Sequence, residues 1–342
     1  MHLIARSNVI LHIGAGKCGS SSIQISLSKR PSLRAANGTR YEYVSASPDG
    51  RSKMGDALTT AASNTMYGYV TAPNVLDEQS ANQFSKMLAS VLNLRQGAVP
   101  ILSNEGWVPR SEIFRKTRLL EKAGAKALVV LYIRPPLEWL NSAWWQWGAW
   151  SGHELGHWID RSLGNVRWNT IARRWLNVPG VVDVAVRLAT LDVVADFGRL
   201  IGSELEQVGR SNAGNDRVLL RLMQKYSELR PGPHDSIIDF VMARWAPASE
   251  RTVPWVIPSE KMRQVLAALR EDNEQLLELV PAETAENIRS DPRWWAAEAY
   301  EAKVIEPAEA TPLSVEDAEE IAVRAIRGLM AAARGKKDNF HN

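Results

Sequence analysis

A loop rich in glycine and serine follows the first apolar segment of the chain, residues 9–13. The loop reads Gly14-Ala15-Gly16-Lys17-Cys18-Gly19-Ser20-Ser21-Ser22. Glycines let backbone N–H groups approach an anion closely, and the positive end of a following helix favours negative charge. Lys17 adds a mobile positive charge, and the serine hydroxyls add hydrogen-bond donors. These residue types in this order predict a phosphate-binding loop.

The loop departs from the Walker A motif, which is Gly-x-x-x-x-Gly-Lys followed by a Ser or Thr that holds magnesium. Alignment on Gly16 places Leu11 where the first glycine belongs and Cys18 where the hydroxyl is required. The spacing therefore argues against magnesium-dependent triphosphate hydrolysis. A tight turn with a helix cap would explain the glycines and one serine, but it would not explain a lysine between two glycines.

A second candidate anion site follows another apolar segment, Leu128–Ile133. This segment ends at Arg134, and two prolines then suit the first turn of a helix. A guanidinium at the carboxyl end of a strand can bind a phosphate through two hydrogen bonds. Ser142 lies eight residues further on. If this stretch stood alone, the default interpretation would be a surface arginine and a serine within a helix.

A carboxylate follows a third apolar segment, Val99–Ser103, at Glu105. At the end of a strand it could take a proton from a reacting group. The alternative is a carboxylate that caps the helix after Pro109. His12 is the rival base by chemistry, but the alternation of side chains along its strand favours an inward, bracing role.

Together these segments resemble the family of sulfotransferases that use 3′-phosphoadenosine-5′-phosphosulfate (PAPS), in particular its bacterial and carbohydrate-modifying branches. Residues 12–24 resemble the family's 5′-phosphosulfate loop, His-Ile-Gly-x-x-Lys-Thr-Gly-Thr-Thr-Ser-x-Gln. The resemblance implies that Lys17 contacts the bridging oxygen of the donor, and that Gly19, Ser20 and Ser21 hold its 5′-phosphate. It further implies that Arg134 and Ser142 bind the 3′-phosphate, and that Glu105 is the base.

Two residues of the loop depart from the family pattern. Gly16 replaces the usual proline, and Cys18 replaces the usual threonine or serine. Both keep their backbone N–H groups. We expect Cys18 to weaken one side-chain contact and to make the loop sensitive to oxidation. The departures also leave open a non-catalytic protein that binds PAPS or its product, 3′,5′-adenosine bisphosphate.

The acceptor of the sulfonyl group is expected to be a small molecule or glycan with a hydroxyl or amine. Trp107, His153 and His157 are candidate acceptor-site residues. Eight of the 13 tryptophans fall between Trp139 and Trp175. We expect most of these rings to be core and one or two to stack on a ligand.

His153-Glu154-Leu155-Gly156-His157 matches His-Glu-x-x-His, which on a helix holds zinc in metallopeptidases. A zinc peptidase is therefore the alternative function. The sequence lacks the expected third ligand, since Asp160 and Leu163 occupy the positions of the extended motif. We expect no metal to be required.

Composition narrows the class of protein. The 342 residues carry 41 basic and 38 acidic side chains, and a net charge of +3 gives no platform for nucleic acid. A single cysteine excludes an intrachain disulfide. The sequence shows no membrane-spanning segment and no signal peptide, which predicts a cytoplasmic enzyme. Oligomeric state cannot be deduced from these features.

Alternating strands and helices predict an α/β fold, a P-loop-like parallel sheet of about five strands flanked by helices, with a helical C-terminal extension. The predicted strands are Val9–Ile13, Tyr41–Ser45, Val99–Ser103, Leu128–Ile133 and Val181–Arg187. The predicted helices are Ser21–Ser28, Asp77–Leu94, Ser111–Ala123, Pro136–Trp150, Asp216–Leu229, Ser236–Ala246, Ser259–Leu279 and Ser314–Ala333. We expect a core over 1–205, an extension over 206–333 and a polar tail over 334–342.

Overall fold

The computed structural model describes residues 6–46, 51–94, 97–189, 192–207, 217–235, 237–245 and 253–338. The chain divides into two compact units that interleave along the sequence. The first comprises Met1–Pro135, Asn165–Gly209 and Leu269–Trp294, and the second comprises Pro136–Gly164, Arg210–Ala268 and Trp295–Asn342. The boundary expected at residue 205 stays a prediction.

A six-stranded sheet forms the centre of the first unit. Its strands are β1 (Val9–His12), β2 (Ser32–Arg34), β3 (Arg40–Tyr43), β6 (Ala98–Ser103), β7 (Ala127–Ile133) and β8 (Val181–Leu188). They lie in the order β2-β3-β6-β1-β7-β8, and a separate two-stranded hairpin is formed by β4 (Ser45–Ala46) and β5 (Ser52–Lys53). Five strands are parallel, and the edge strand β2 is antiparallel. The predicted α/β fold is confirmed.

The central strands β1 and β7 are buried, as their mainly apolar composition predicts. Every residue of β1 and β7 is buried, as expected for parallel strands that are covered on both faces. Because β1 pairs with β6 on one side and β7 on the other, the segments after these three strands emerge together at one edge of the sheet. Ligands of open α/β sheets bind at such an edge.

The helices of the first unit pack around this sheet. They are α1 (Ser20–Lys29), α2 (Gly55–Ser63), α3 (Glu78–Leu94), α4 (Ser111–Thr117), α5 (Leu119–Lys122), α8 (Trp168–Leu176), α9 (Val193–Ile201) and α13 (Ala282–Ser290). The helix expected over Ser111–Ala123 is divided, because Arg118 adopts a left-handed φ of 50° between α4 and α5.

The second unit is helical. It contains α6 (Pro136–Gln146), α7 (Leu155–Ser162), α10 (Arg217–Lys225), α11 (Ile237–Trp245) and α14 (Val315–Asp338), and α12 (Ser259–Leu279) runs from this unit into the first. The last helix continues to Asp338, beyond the expected start of the tail at residue 334. Residues 339–342 lie outside the described part of the chain. None of the described helices is long and apolar enough to cross a membrane.

A buried polar bridge joins β1, β6 and α1. Nδ1 of His12 lies 2.8 Å from the hydroxyl of Ser103, and the side-chain amide of Gln24 donates to the same hydroxyl at 3.0 Å. All three side chains are fully buried. Burial lowers the pKa of His12 from 6.5 to about 4, so the imidazole is neutral in the folded protein. The expected bracing role of His12 agrees with this position.

The lowered pKa of His12 predicts a pH-dependent free energy of unfolding. Between pH 6.5 and about 4 the unfolded chain binds a proton that the folded chain excludes, so stability falls as the pH falls through this range. We expect His12 to account for about 2 kcal/mol of lost stability between pH values near 7 and near 5. Urea unfolding at both pH values should show this loss, and His12→Phe should remove it. An unchanged pH dependence in His12→Phe would contradict the prediction.

Candidate functional site

The loop between β1 and α1 is a tight turn that depends on its glycines. Gly14 has a φ of 42° and Gly19 a φ of 87°, both in the left-handed region. A Cβ atom on Gly14 would lie 2.3 Å from the Ser20 hydroxyl, and one on Gly19 would lie 2.5 Å from a Val193 methyl. Neither position accepts another residue without displacement. Lys17 itself is left-handed, with a φ of 66°, a conformation that costs free energy outside glycine.

The amino end of α1 faces the loop without a side-chain cap. Gly19 occupies the cap position, and no side chain accepts a hydrogen bond from the first turn. Such a helix end can bind an anion through its backbone N–H groups. The hydroxyl of Ser20 is turned inward toward the carbonyl of Ala15 at 3.4 Å, whereas Ser21 and Ser22 are half-buried. The backbone and the last two serines therefore form the candidate anion surface.

Arg134 lies directly after β7 and is joined to the loop. Its guanidinium donates to the carbonyl of Lys17 at 3.2 Å. The indole of Trp168 donates to the carbonyl of Arg134 at 3.0 Å. Trp168 begins α8, whose first turn is held by the carboxylate of Asp272 through the N–H groups of residues 169 and 170. Arg134 is thus fixed beside the loop at both its backbone and its side chain.

Glu105 follows β6 on the other side of β1. The N–H of Asn104 donates to the carbonyl of His12 at 3.1 Å, and the Asn104 side chain accepts a hydrogen bond from the N–H of Gly106 at 2.8 Å. Glu105 therefore begins a short 3₁₀ helix over Glu105–Arg110 that Asn104 caps. The alternative that Glu105 caps the helix after Pro109 is not what the structure shows.

Three charged side chains lie close to the thiol of Cys18. Burial raises the pKa of its thiol to about 12, with smaller effects from Arg134, Glu105 and Lys17. Burial also raises the pKa of Glu105, and the positive charge of Lys17 opposes that rise. The Glu105 side chain nevertheless keeps exposed surface. Two cations and one carboxylate thus lie together at this edge of the sheet.

Tyr69 belongs to this site and was missed by the sequence interpretation. Its hydroxyl shares a hydrogen bond with Ser21, and its pKa is raised by burial and by the charge of Glu105. The Tyr67 ring lies 5.8 Å from the Tyr69 ring and is exposed. The only sequence signal was a pair of tyrosines two residues apart in a loop with Gly68. No motif connects that loop with the phosphate loop.

Trp107 is a core residue, contrary to the prediction that it lines an acceptor site. Its side chain is fully buried, and its indole N–H donates to the carbonyl of Pro73 at 3.0 Å. Its ring packs edge-on against Phe84 and Phe114, with centroids 5.2 and 5.7 Å away. The large apolar ring fills the space between helices and leaves no surface for an acceptor.

Three predicted site residues lie in the second unit. Ser142 is half-buried on α6, and His153 and His157 are exposed. His153 borders an open cavity of ≈ 440 Å³ whose lining includes Trp144 and Trp150. Six of the eight clustered tryptophans are buried and two are half-buried, in agreement with the expectation that most of them are core.

The histidine pair does not have the geometry of a peptidase zinc site. The helix α7 begins at Leu155, so His153 and Glu154 precede it and the motif does not lie on one helical face. The two imidazole rings are 5.3 Å apart. Within the described ranges, no group of three or more His, Cys, Asp or Glu side chains could hold a metal ion. The structure therefore does not support the zinc alternative.

Comparisons with known proteins include a structural likeness. The chain is similar to the crystal structure of a sulfotransferase from Alicyclobacillus acidocaldarius, with 13% sequence identity and a TM-score of 0.39. The likeness covers 82% of this chain and 99% of the other. No family model and no curated protein matches the sequence.

The burial of Cys18 corrects the expectation that the loop is sensitive to oxidation. A thiol with a pKa of about 12 that is almost fully buried is protonated at neutral pH and inaccessible to reagents. We predict that a disulfide reagent such as dithionitrobenzoate leaves the native thiol unmodified and titrates one thiol per chain in urea. Rapid reaction of the native protein would contradict this geometry.

Proposed function

We propose that the chain is a sulfotransferase that moves a sulfonyl group from PAPS to a hydroxyl or amine. The observation that carries the proposal is the convergence of the Lys17 loop, Arg134 and Glu105 at one edge of the sheet. Two cationic elements beside an uncapped helix suit a ligand with two separated phosphates. The motif resemblance supports PAPS as that ligand.

In this proposal the loop and the amino end of α1 hold the 5′-phosphate of the donor, and Arg134 holds its 3′-phosphate. The role of Ser142 stays a prediction of the sequence. The donor supplies an electrophilic sulfur with a phosphate as leaving group. An acceptor oxygen or nitrogen attacks the sulfur, and the bond from sulfur to the bridging oxygen breaks. The ammonium of Lys17 offsets negative charge on that oxygen.

Glu105 takes the proton that the acceptor loses, which leaves a sulfated acceptor and 3′,5′-adenosine bisphosphate. A carboxyl with a raised pKa is a stronger base than an ordinary glutamate. Tyr69 shares a hydrogen bond with Ser21 and is close enough to Glu105 to feel its charge, so it can orient the acceptor in this proposal. A small molecule or glycan is the proposed acceptor class.

A screen tests the proposal through Lys17. Protein saturated with PAPS is incubated with glycans, lipids and phenols, and mass spectrometry detects transfer of one sulfonate with release of the bisphosphate. We expect Lys17→Ala to lower kcat by about a hundredfold and donor affinity by much less, because the lysine acts mainly on the leaving oxygen. Lys29→Ala is the matched control, since Lys29 is an exposed lysine at the far end of α1, the helix that follows the loop. Undiminished transfer by Lys17→Ala would refute this role.

The raised pKa of Glu105 predicts the pH dependence of the reaction. Only the ionised carboxylate can take a proton, so kcat/KM should fall as the pH drops through a pKa above the ordinary glutamate value of 4.5. Glu105→Gln should remove this acidic limb and lower kcat by about a hundredfold or more, while bisphosphate affinity changes little. Glu112→Gln, at an exposed residue of α4, should retain the wild-type profile. An acidic limb that persists in Glu105→Gln would assign the base to another residue.

A further inference from the structure

The helix α14 turns mainly polar and small residues inward and most of its apolar residues outward. Asp317, Arg324 and Gly328 are buried on one face, together with Ile321. On the opposite face Ile326 and Leu329 are 56% and 71% exposed. A surface helix of a monomer normally shows the reverse pattern, with its apolar stripe against the core.

The outward apolar residues form one seam along the helix, which Glu319 interrupts between Val315 and Ala322. They are Val315, Ala322, Val323, Ile326, Leu329, Met330 and Ala333, and all are exposed. Their spacings of three, four and seven place them on one third of the helix circumference, the pattern of two helices that pack side by side. With a rise of about 1.5 Å per residue the seam is about 27 Å long. We refer to these residues as the α14 seam.

A polar contact with a neighbouring helix holds the inward face in place, so the seam cannot turn toward the interior of the unit. Asp317 lies 3.6 Å from Arg217 of α10. Arg324 lies 3.6 Å from Glu320 within α14 itself. The backbone N–H of Asp317 also donates to the hydroxyl of Ser314 at 3.0 Å, which caps the helix. Rotation of α14 would break the contact with α10 and would bury charged groups that now face solvent.

The exposed charges on α14 are segregated along its length. Glu316 and Glu319 lie in the first turns, whereas Arg327 and Arg334 lie in the second half, and all four are exposed. A parallel pair of such helices would bring like charges together. An antiparallel pair brings the acidic half of each helix against the basic half of the other, and it places both seams face to face.

We propose that α14 is a dimerisation helix that pairs antiparallel with α14 of a second copy of this chain. A two-fold axis near residue 325 sets Glu316 opposite Arg334 of the partner subunit, and the same contact recurs on the other side of the axis. The seam is self-complementary, as an isologous interface requires. This proposal is independent of the sulfotransferase assignment.

Sedimentation velocity of the full chain over a concentration series tests the interface. We expect a dimer that Ile326→Glu combined with Leu329→Glu weakens by more than about a hundredfold, because two charges per subunit would enter an apolar contact. Val304→Glu is the matched control, since Val304 is 80% exposed outside the helix. Unchanged circular dichroism confirms the fold of each variant. A wild-type monomer at all concentrations, or a dimer unaffected by the seam variant, overturns the proposal.

Charge reversal tests the antiparallel arrangement separately. Glu316→Arg alone and Arg334→Glu alone should each raise the dimer dissociation constant by about tenfold, because each creates two like-charge contacts across the axis. The two reversals together should restore the wild-type value. Failure of the double variant to recover overturns the antiparallel pairing.

Discussion

The candidate site depends on one buried bridge, the contacts of His12 and Gln24 with the hydroxyl of Ser103. Three elements meet there: β1, which leads into the Lys17 loop, β6, which leads to Glu105, and α1, whose amino end faces the loop. A polar contact in an apolar interior is costly to break, so the bridge fixes their relative positions. The distance between the Lys17 loop and Glu105, which follow separate strands, is thereby set within the core.

The opposite side of the loop is fixed by a different set of contacts. Arg134 donates to the carbonyl of Lys17, and Trp168 holds the carbonyl of Arg134. The carboxylate of Asp272 holds the first turn of the helix that carries Trp168. In the proposed reaction, Lys17 and Arg134 would therefore need little reorganisation, which is the main source of electrostatic catalysis.

Sequence alone predicted the sheet and the polar residues at its edge for physical reasons. Fully apolar segments such as β7 have few alternatives to a buried parallel strand, and the residues just after such a strand lie at the ligand edge. The three-residue strand β2 carried no such signal, because it is too short for periodicity. The sequence also did not predict that α4 and α5 are separate helices. The left-handed conformation of Arg118 divides them, and an arginine gives no sequence signal for this conformation.

Tertiary contacts explain the remaining differences. Tyr69 lies 48 residues from Ser21 in sequence, and only folding brings the two hydroxyls together. Residue type alone predicted that Trp107 lines an acceptor site and that Cys18 is a reactive thiol. Burial gives both of them structural roles instead. Exposure of an individual side chain is decided by neighbours that no local pattern specifies.

The central claim is that the Lys17 loop and Arg134 form a single site for two phosphates. The most direct measurement is a calorimetric comparison of 3′,5′-adenosine bisphosphate with 5′-AMP, in the wild type and in Arg134→Ala. We predict that the 3′-phosphate raises wild-type affinity by about tenfold to a hundredfold, and that Arg134→Ala removes this difference while 5′-AMP binding persists. Equal wild-type affinities for the two nucleotides, or a difference that survives in Arg134→Ala, would contradict the two-phosphate site.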